Sequence, residues 1–351
     1  MNVTRRSFLG GMAMASAGCA FGTRDVSAVK RAPLDFHVHL FGIGDGGTGC
    51  HLSPKQRQHW NYRFFLRLLH LQENGRMDQD FVAELTRQLR ASSTERALLL
   101  AHDARYDSQG RPDLASTNSY VPNEYLFQVC RDHPDLFIPC ASINPKRRDA
   151  LDELDRCAER GARVVKVHPP TQDVDPSETR FRAWYRRVAE LRLILMVHTG
   201  SEHASDVTDH TLTDPARLQL ALEEGCTVVA AHSGMGSFLD RQPFREDFFR
   251  NLVDLAARFS TLYCDTAVLT SLFRWPNLPR LLGEATLAQR VIYASDWPFT
   301  SNALIFWNRL RPGHMLSLGS ETNLFERDYQ LKLQLGLPQQ AFERGVRLLD
   351  G

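Results

Sequence analysis

The chain has 351 residues, a formal net charge of +1, 43% hydrophobic residues and 24% charged ones. This is an ordinary globular composition, enough for one large domain or two smaller ones. The balanced charge gives no whole-molecule field that would draw in nucleic acid or an anionic membrane. The seven cysteines include no Cys-x-x-Cys pair, and several fall inside apolar strand or helix patterns, where a buried reduced thiol is expected rather than a disulfide.

Residues 1–27 read as an export segment. Thr4-Arg5-Arg6-Ser7-Phe8-Leu9 is a twin-arginine motif, a weakly apolar Gly/Ala-rich core follows it, and Ala15-Ser16-Ala17 offers a small-residue cleavage site. Cys19 offers a point for a lipid anchor, disfavoured because Ser16 stands where a large aliphatic residue is usual. The expectation is a periplasmic protein whose single folded domain spans residues 28–351, exported already folded and metal-loaded. No later apolar run is long enough to span a bilayer.

The folded part opens on Leu34-Asp35-Phe36-His37-Val38-His39-Leu40. Its alternation predicts a strand with Asp35, His37 and His39 on one face, and two neutral imidazoles spaced this way can share a metal ion. A Gly-rich loop (41–49) and a long insert (50–77) rich in aromatic and basic residues come next, and an insert of that length after a strand is usually functional. Short apolar runs then predict strands at 97–102, 136–143, 163–168, 193–198, 227–232, 261–265 and 291–296. Helical spacing fills 81–89, 122–131, 147–160, 181–190, 214–224, 248–259 and 278–282, and continues beyond the last strand at 303–310, 326–335 and 339–349. Eight strands alternating with helices predict an α/β chain folded as a (β/α)8 TIM barrel, with the long insert after strand 1 and extra C-terminal helices. A doubly wound open sheet would instead carry a Gly-rich phosphate loop that opens a helix; residues 41–47 follow a strand, but no helix opens after them.

In such a barrel the active site lies at the carboxyl ends of the strands. Six of the thirteen histidines fall at those ends: His37 and His39, His102, His168, His198 and His232; strand 8 ends in Asp296. Two or three imidazoles with one carboxylate leave an open position for water, the pattern of a catalytic zinc site.

With these residues in place the chain resembles the amidohydrolase superfamily, in the branch of metal-dependent hydrolases and decarboxylases similar to aminocarboxymuconate-semialdehyde decarboxylase. The likeness is carried by Asp35-Phe36-His37-Val38-His39, Pro139-Cys140-Ala141-Ser142-Ile143-Asn144-Pro145, Val164-Val165-Lys166-Val167-His168-Pro169-Pro170, Met196-Val197-His198-Thr199-Gly200, Ala231-His232-Ser233-Gly234 and Ala294-Ser295-Asp296-Trp297-Pro298. The resemblance implies that His37, His39, His198 and Asp296 hold one divalent metal ion, zinc, and that His232 is the acid/base residue working with Asp296. It leaves His168 and His102 for the substrate pocket or its support, and Asp35 as a brace for the histidines. Lys166 faces the same interior; in binuclear relatives a carboxylated lysine at this place bridges two ions, which the resemblance would give to Lys166 with His198 and His232 holding the second, while the simpler expectation pairs it with an interior carboxylate such as Asp35.

Three activities fit. The first expectation is hydrolysis of an amide, lactone or ester by metal-activated water. The alternative is non-oxidative decarboxylation of an unsaturated or aromatic acid, for which Arg63, Arg105 and Arg274 could hold the substrate carboxylate. The third is a binding protein without a metal. Trp60, Phe64, Trp275, Trp297 and Phe299 are candidates for an apolar pocket wall. Expected partners are a small-molecule substrate and, as an assembly, a second copy in a homodimer, with no nucleic acid and no membrane apart from the export machinery or the anchor at Cys19.

Overall fold

The computed structural model describes residues 31–207, 209–241 and 245–351; the expected export segment, Cys19 included, lies outside the described residues. Eight parallel strands form one sheet in chain order: β1 Asp35–His39, β2 Ala97–Leu100, β3 Phe137–Ser142, β4 Val164–Val167, β5 Ile194–His198, β6 Thr227–Ala231, β7 Leu262–Asp265 and β8 Val291–Ile292. All eight lie where the apolar runs predict. The ring closes through backbone bonds from Phe36 N–H to the Tyr293 carbonyl (3.1 Å), Asp296 N–H to that of His37 (3.0 Å) and His39 N–H to that of Trp297 (3.0 Å). The molecule is a (β/α)8 TIM barrel. Among the described residues no helix is long and apolar enough to cross a membrane.

Burial on both faces explains why these strands read as continuous apolar runs. Leu98, Leu100, Val164, Met196, Val229 and Ile292 fill the barrel interior, while Val165, Val167, Leu195, Val197 and Val228 pack outward against the helices. Helices Ala150–Glu159, Arg182–Glu190 and Glu246–Arg258 turn one apolar face inward, with Leu154, Trp184, Val188, Leu252 and Leu255 fully or nearly fully buried. The final helix, Gln339–Asp350, packs against β1 and β8 at the amino end of the barrel. Contact there requires Gly345, since a Cβ would stand 2.8 Å from Phe36 Cδ2. Residues 303–310, read as one helix, form a 3-10 turn at Ala303–Phe306, and the helix Pro312–Ser320 that follows has no strong periodic signal.

The long insert folds as strand His51–Leu52 and helices Pro54–Gln58 and Trp60–Leu68. The strand pairs antiparallel with Ser119–Tyr120, from the loop after β2. Gln56 and Asn61 side-chain amides both donate to the Ala204 carbonyl, in the loop after β5. The insert therefore crosses the barrel mouth from the β1 side to the opposite wall.

Candidate active site

Backbone geometry at the strand ends sets the site. Asp296 (φ +70°), His232 (φ +63°) and Ser233 (φ +56°) all occupy the left-handed region, a conformation that costs a non-glycine residue about 1–3 kcal/mol and clusters at functional sites. Nearby, Gly200 (φ +78°) lets the β5 loop lie directly on the Met235 carbonyl of the β6 loop.

His37 is the best-braced member. Its Nδ1–H donates to Asp265 Oδ2 (2.9 Å), which leaves Nε2 with its lone pair directed into the barrel. Asp265 Oδ1 accepts from His232 N–H (2.7 Å) and Ala267 N–H (3.1 Å), so one carboxylate at the end of β7 fixes the histidines of β1 and β6. Burial pushes the Asp265 carboxyl up, opposed chiefly by His232 and Lys166. Asp296 Oδ1 lies 3.3 Å from His37 Nε2 and 3.1 Å from His39 Nε2. Burial alone would raise Asp296; His37, His232 and His39 outweigh it and hold the carboxylate ionised. His37, His39 and Asp296 thus converge as one group of donors. His39 is the member that solvent reaches, with its side chain 25% exposed.

Around this group the imidazoles form a continuous arc. His232 stands 5.1 Å from His37, His198 4.6 Å from His232, His168 4.0 Å from His198 and His102 5.2 Å from His168, ring centre to ring centre. The Nδ1–H of His232 donates to the Ala267 carbonyl (3.2 Å), and burial pulls this imidazole down to about 3, so it is neutral with Nε2 free to take a proton. His198, expected from the resemblance beside His37, His39 and Asp296, instead groups with His168 and Glu202. Burial pushes His37, His198 and His102 well down and His168 in the same direction. The Thr171 hydroxyl bridges His168 Nδ1 (2.8 Å) and His102 Nε2 (3.1 Å), placing both in the supporting frame.

Two braces differ from expectation. Asp35 does not meet a histidine ring: a register shift in β1 between Asp35 and Val38 breaks the strict alternation, and its Oδ1 accepts from the backbone N–H of His37 (3.1 Å) and Ser295 (2.9 Å). Lys166 does not pair with Asp35 either; its Nζ lies 3.4 Å from His37 Nε2, and burial lowers it against the opposing charges of Asp265 and Asp296. Asp265 and Glu202 are site residues that the sequence reading passed over. Asp265 ends a strand, as the six histidines nearly all do, and the same rule selects it; Glu202 sits in a loop without periodic signal.

Of the loop arginines, Arg63 is exposed and Arg105 is spent on the Thr171 and Pro170 carbonyls. Arg274 is buried at 8% exposure. It donates to the carbonyls of Met235 (2.7 Å) and Ser201, and has no carboxylate within salt-bridge distance among the described residues. It is close enough to feel the carboxylates of Asp296 and Glu202 and to help keep His198 and His232 unprotonated. Among the expected wall aromatics, Phe299 stands 6.3 Å from the His39 ring and meets Phe65 of the insert edge-on at 4.9 Å. Trp60, Phe64 and Trp275 are largely exposed. Trp297 is fully buried, stacked on Phe325 and edge-on to Phe81, and belongs to the core rather than a pocket wall.

A sequence profile described as Amidohydrolase matches residues 35–305. A search of curated proteins finds no match. Among solved structures the chain is similar to an uncharacterised TIM-barrel protein from Bordetella bronchiseptica, with 17% identity over 86% of this chain and 99% of that one and a TM-score of 0.55. It is also similar to 5-carboxyvanillate decarboxylase from Sphingomonas paucimobilis, with 12% identity over 92% and 99% and a TM-score of 0.54. The IDCase of Metarhizium anisopliae is a third, with 12% identity over 91% and 97% and a TM-score of 0.54. At these identities the likeness establishes the fold.

Proposed function

Since the chain belongs to the amidohydrolase family, we propose that it is a metal-dependent decarboxylase of a small unsaturated or aromatic carboxylic acid. The observation that carries this reading is Arg274, a buried guanidinium whose two assigned hydrogen bonds go to neutral carbonyls beside the histidine arc. A buried cation without a carboxylate of its own is costly, and a substrate carboxylate would supply the missing charge through its remaining N–H donors. That two of the fold relatives are 5-carboxyvanillate decarboxylase and IDCase supports the same direction.

The donor chemistry suits a divalent ion. His37 presents Nε2 because Asp265 holds its other nitrogen, the arrangement of a metal-binding histidine with its outer partner. His37, His39 and Asp296 would hold the ion, and a divalent metal there supplies Lewis-acid polarisation of a bound oxygen. Arg274 would hold the carboxylate that leaves as CO2. His232, fixed through Nδ1–H on the Ala267 carbonyl, would take a proton from water on Nε2 and pass it to the carbon from which CO2 departs, returning to its neutral form as a C–H bond replaces the C–C bond. Phe299 and Phe65 would close over the apolar part of the substrate next to His39 and exclude water.

The test is a panel of aromatic and unsaturated acids in deuterium oxide, following CO2 release and deuterium at carbon. CO2 with one deuterium incorporated is the expected result. Turnover of esters, lactones or amides with no CO2 from any acid would return the function to hydrolysis, the first expectation from the sequence.

A further inference from the structure

Exposed apolar side chains scattered singly over a surface need no explanation, but a contiguous patch of them marks an interaction site. Here they gather. Of the twelve large hydrophobic side chains exposed among the described residues, nine lie in the insert after β1 and in the loops after β6, β7 and β8. These four strands are consecutive around the closed barrel, so the nine share one half of its mouth. Contacts join the segments. Phe65 of the insert meets Phe299 of the β8 loop at 4.9 Å, and the Asn302 N–H of that loop donates to the Thr270 carbonyl of the β7 loop (2.9 Å). Phe273 of the β7 loop packs on Phe238 of the β6 loop at 5.5 Å. Three of the chain's five tryptophans stand on this rim, Trp60 at 61% exposure, Trp275 at 40% and Trp307 at 72%, while Trp184 and Trp297 are buried.

The net charge of +1 conceals an asymmetry at the same place. Residues 50–72, 266–283 and 297–320 contain eight Lys or Arg and no Asp or Glu. Lys55, Arg57 and Arg280 pair with Asp206, Glu73 and Glu246, and Arg274 is buried. Arg63, Arg67, Arg309 and Arg311 are exposed and have no salt bridge among the described residues. Helix Trp60–Leu68 shows how the two features combine. Asn61 and Tyr62 are buried, whereas Trp60 and Phe64 are exposed four residues apart with their rings 6.4 Å from each other, and Arg63 and Arg67 are exposed beside them at the same spacing.

We propose that this half of the barrel mouth docks on an anionic lipid surface. Tryptophan rings are favoured at the level of the headgroups, and each arginine near an anionic surface adds attraction. A second copy of this chain is a poorer occupant: a two-fold contact sets a face against itself, and these segments carry no carboxylate to answer their own arginines. The expectation of no membrane partner rested on the charge of the whole molecule, whereas docking responds to the charge of the face presented.

The experiment mixes the full chain with vesicles of phosphatidylglycerol and phosphatidylcholine whose acyl chains are brominated, which quench tryptophan on contact. Residues 1–30 contain no tryptophan, so the fluorescence reports on the barrel and not on the terminal segment. Wild type should be quenched by vesicles containing phosphatidylglycerol, less so as salt rises, and little by phosphatidylcholine alone. Arg309→Gln with Arg311→Gln should weaken binding about 25-fold, since each arginine at such a surface contributes about 5-fold. Trp60→Ala with Trp307→Ala should keep the circular dichroism of wild type and lose most of its co-sedimentation with the vesicles. Absence of quenching, co-sedimentation without quenching, undiminished binding by either double variant, or a lipid-free dimer that shields the tryptophans from acrylamide would overturn the proposal. None of these readouts depends on which reaction the enzyme performs.

Discussion

Substitution of Lys332 by Met tests how the carboxyl ends of β7 and β8 are held in place. Lys332 is completely buried in helix Leu324–Gln334; its ammonium donates to the Ala294 carbonyl (2.6 Å), two residues before Asp296, and to Asp328 Oδ2 (2.8 Å). The other oxygen of Asp328 accepts from the hydroxyls of Thr270 (3.1 Å) and Ser301, one in each of the two loops that carry Arg274 and Phe299. Met has nearly the same reach but leaves Asp328 buried, charged and without its cation. Breaking a buried pair from one side costs about 3–5 kcal/mol. At ~2.1 cal/mol/K of unfolding entropy per residue, that lowers Tm by roughly 4–7 °C for a domain of this size. Burial already raises the Asp328 carboxyl, with Lys332 opposing it; without Lys332 its folded pKa moves further above the unfolded value. A carboxyl raised on folding is most favourable below its unfolded pKa, and stability is lost as pH climbs through the folded pKa. The destabilisation should accordingly be larger at about pH 8 than at about pH 5, measured by urea denaturation with circular dichroism. Adding Asp328→Asn, which keeps an oxygen for the two hydroxyls and removes the charge, should recover most of the loss. An equal loss at both pH values, or a double variant no better than the single one, would refute the reasoning.

Arg274→Met should raise KM for a carboxylate substrate roughly 10- to 150-fold, the value of a charge-assisted bond worth about 1.5–3 kcal/mol, with metal content unchanged; steady-state kinetics beside elemental analysis checks it. His232→Asn, chosen because asparagine accepts the left-handed φ of +63° at that position, should keep its metal and lose about 10²–10⁴-fold in kcat. The six described cysteines are all buried, and burial pushes Cys140 and Cys264 up to about 12. Since the thiolate is the reactive form, none of the six should react with an aromatic disulfide reagent until guanidinium unfolds the chain. Rapid labelling of any of them in the folded protein would contradict the packing.

The barrel was legible because each strand is a short apolar run bounded by turn residues, and because chemistry-bearing side chains recur where those runs stop. What escaped has physical causes. The alternation Asp35, His37, His39 promised one common face, but periodicity carries no mark of a bulge, and the register shift turns Asp35 to the backbone of His37 and Ser295. Glu202 meets a histidine 34 positions earlier (His168), a contact that exists only once β4 and β5 lie side by side. Trp297 reads as a pocket aromatic from its place beside Asp296, yet the chain rotates it away to stack on Phe325, 28 residues on. Local pattern finds elements and their ends; pairings across the barrel follow from closure.

The last helix carries a consequence for biosynthesis. Gln339–Asp350 seals the amino end of the barrel, with Gly345 seated on Phe36 and the N–H of Tyr293, the residue after β8, donating to the Ala341 carbonyl (2.9 Å). The first strand of the barrel is thus completed by a helix that follows all eight strands. A ribosome that has already delivered β1 to β8 still holds the piece that closes them, and domains assemble in the order in which their parts emerge. The barrel interior stays open at its base until this helix has left the ribosome, so closure of the barrel comes after all eight strands have been made.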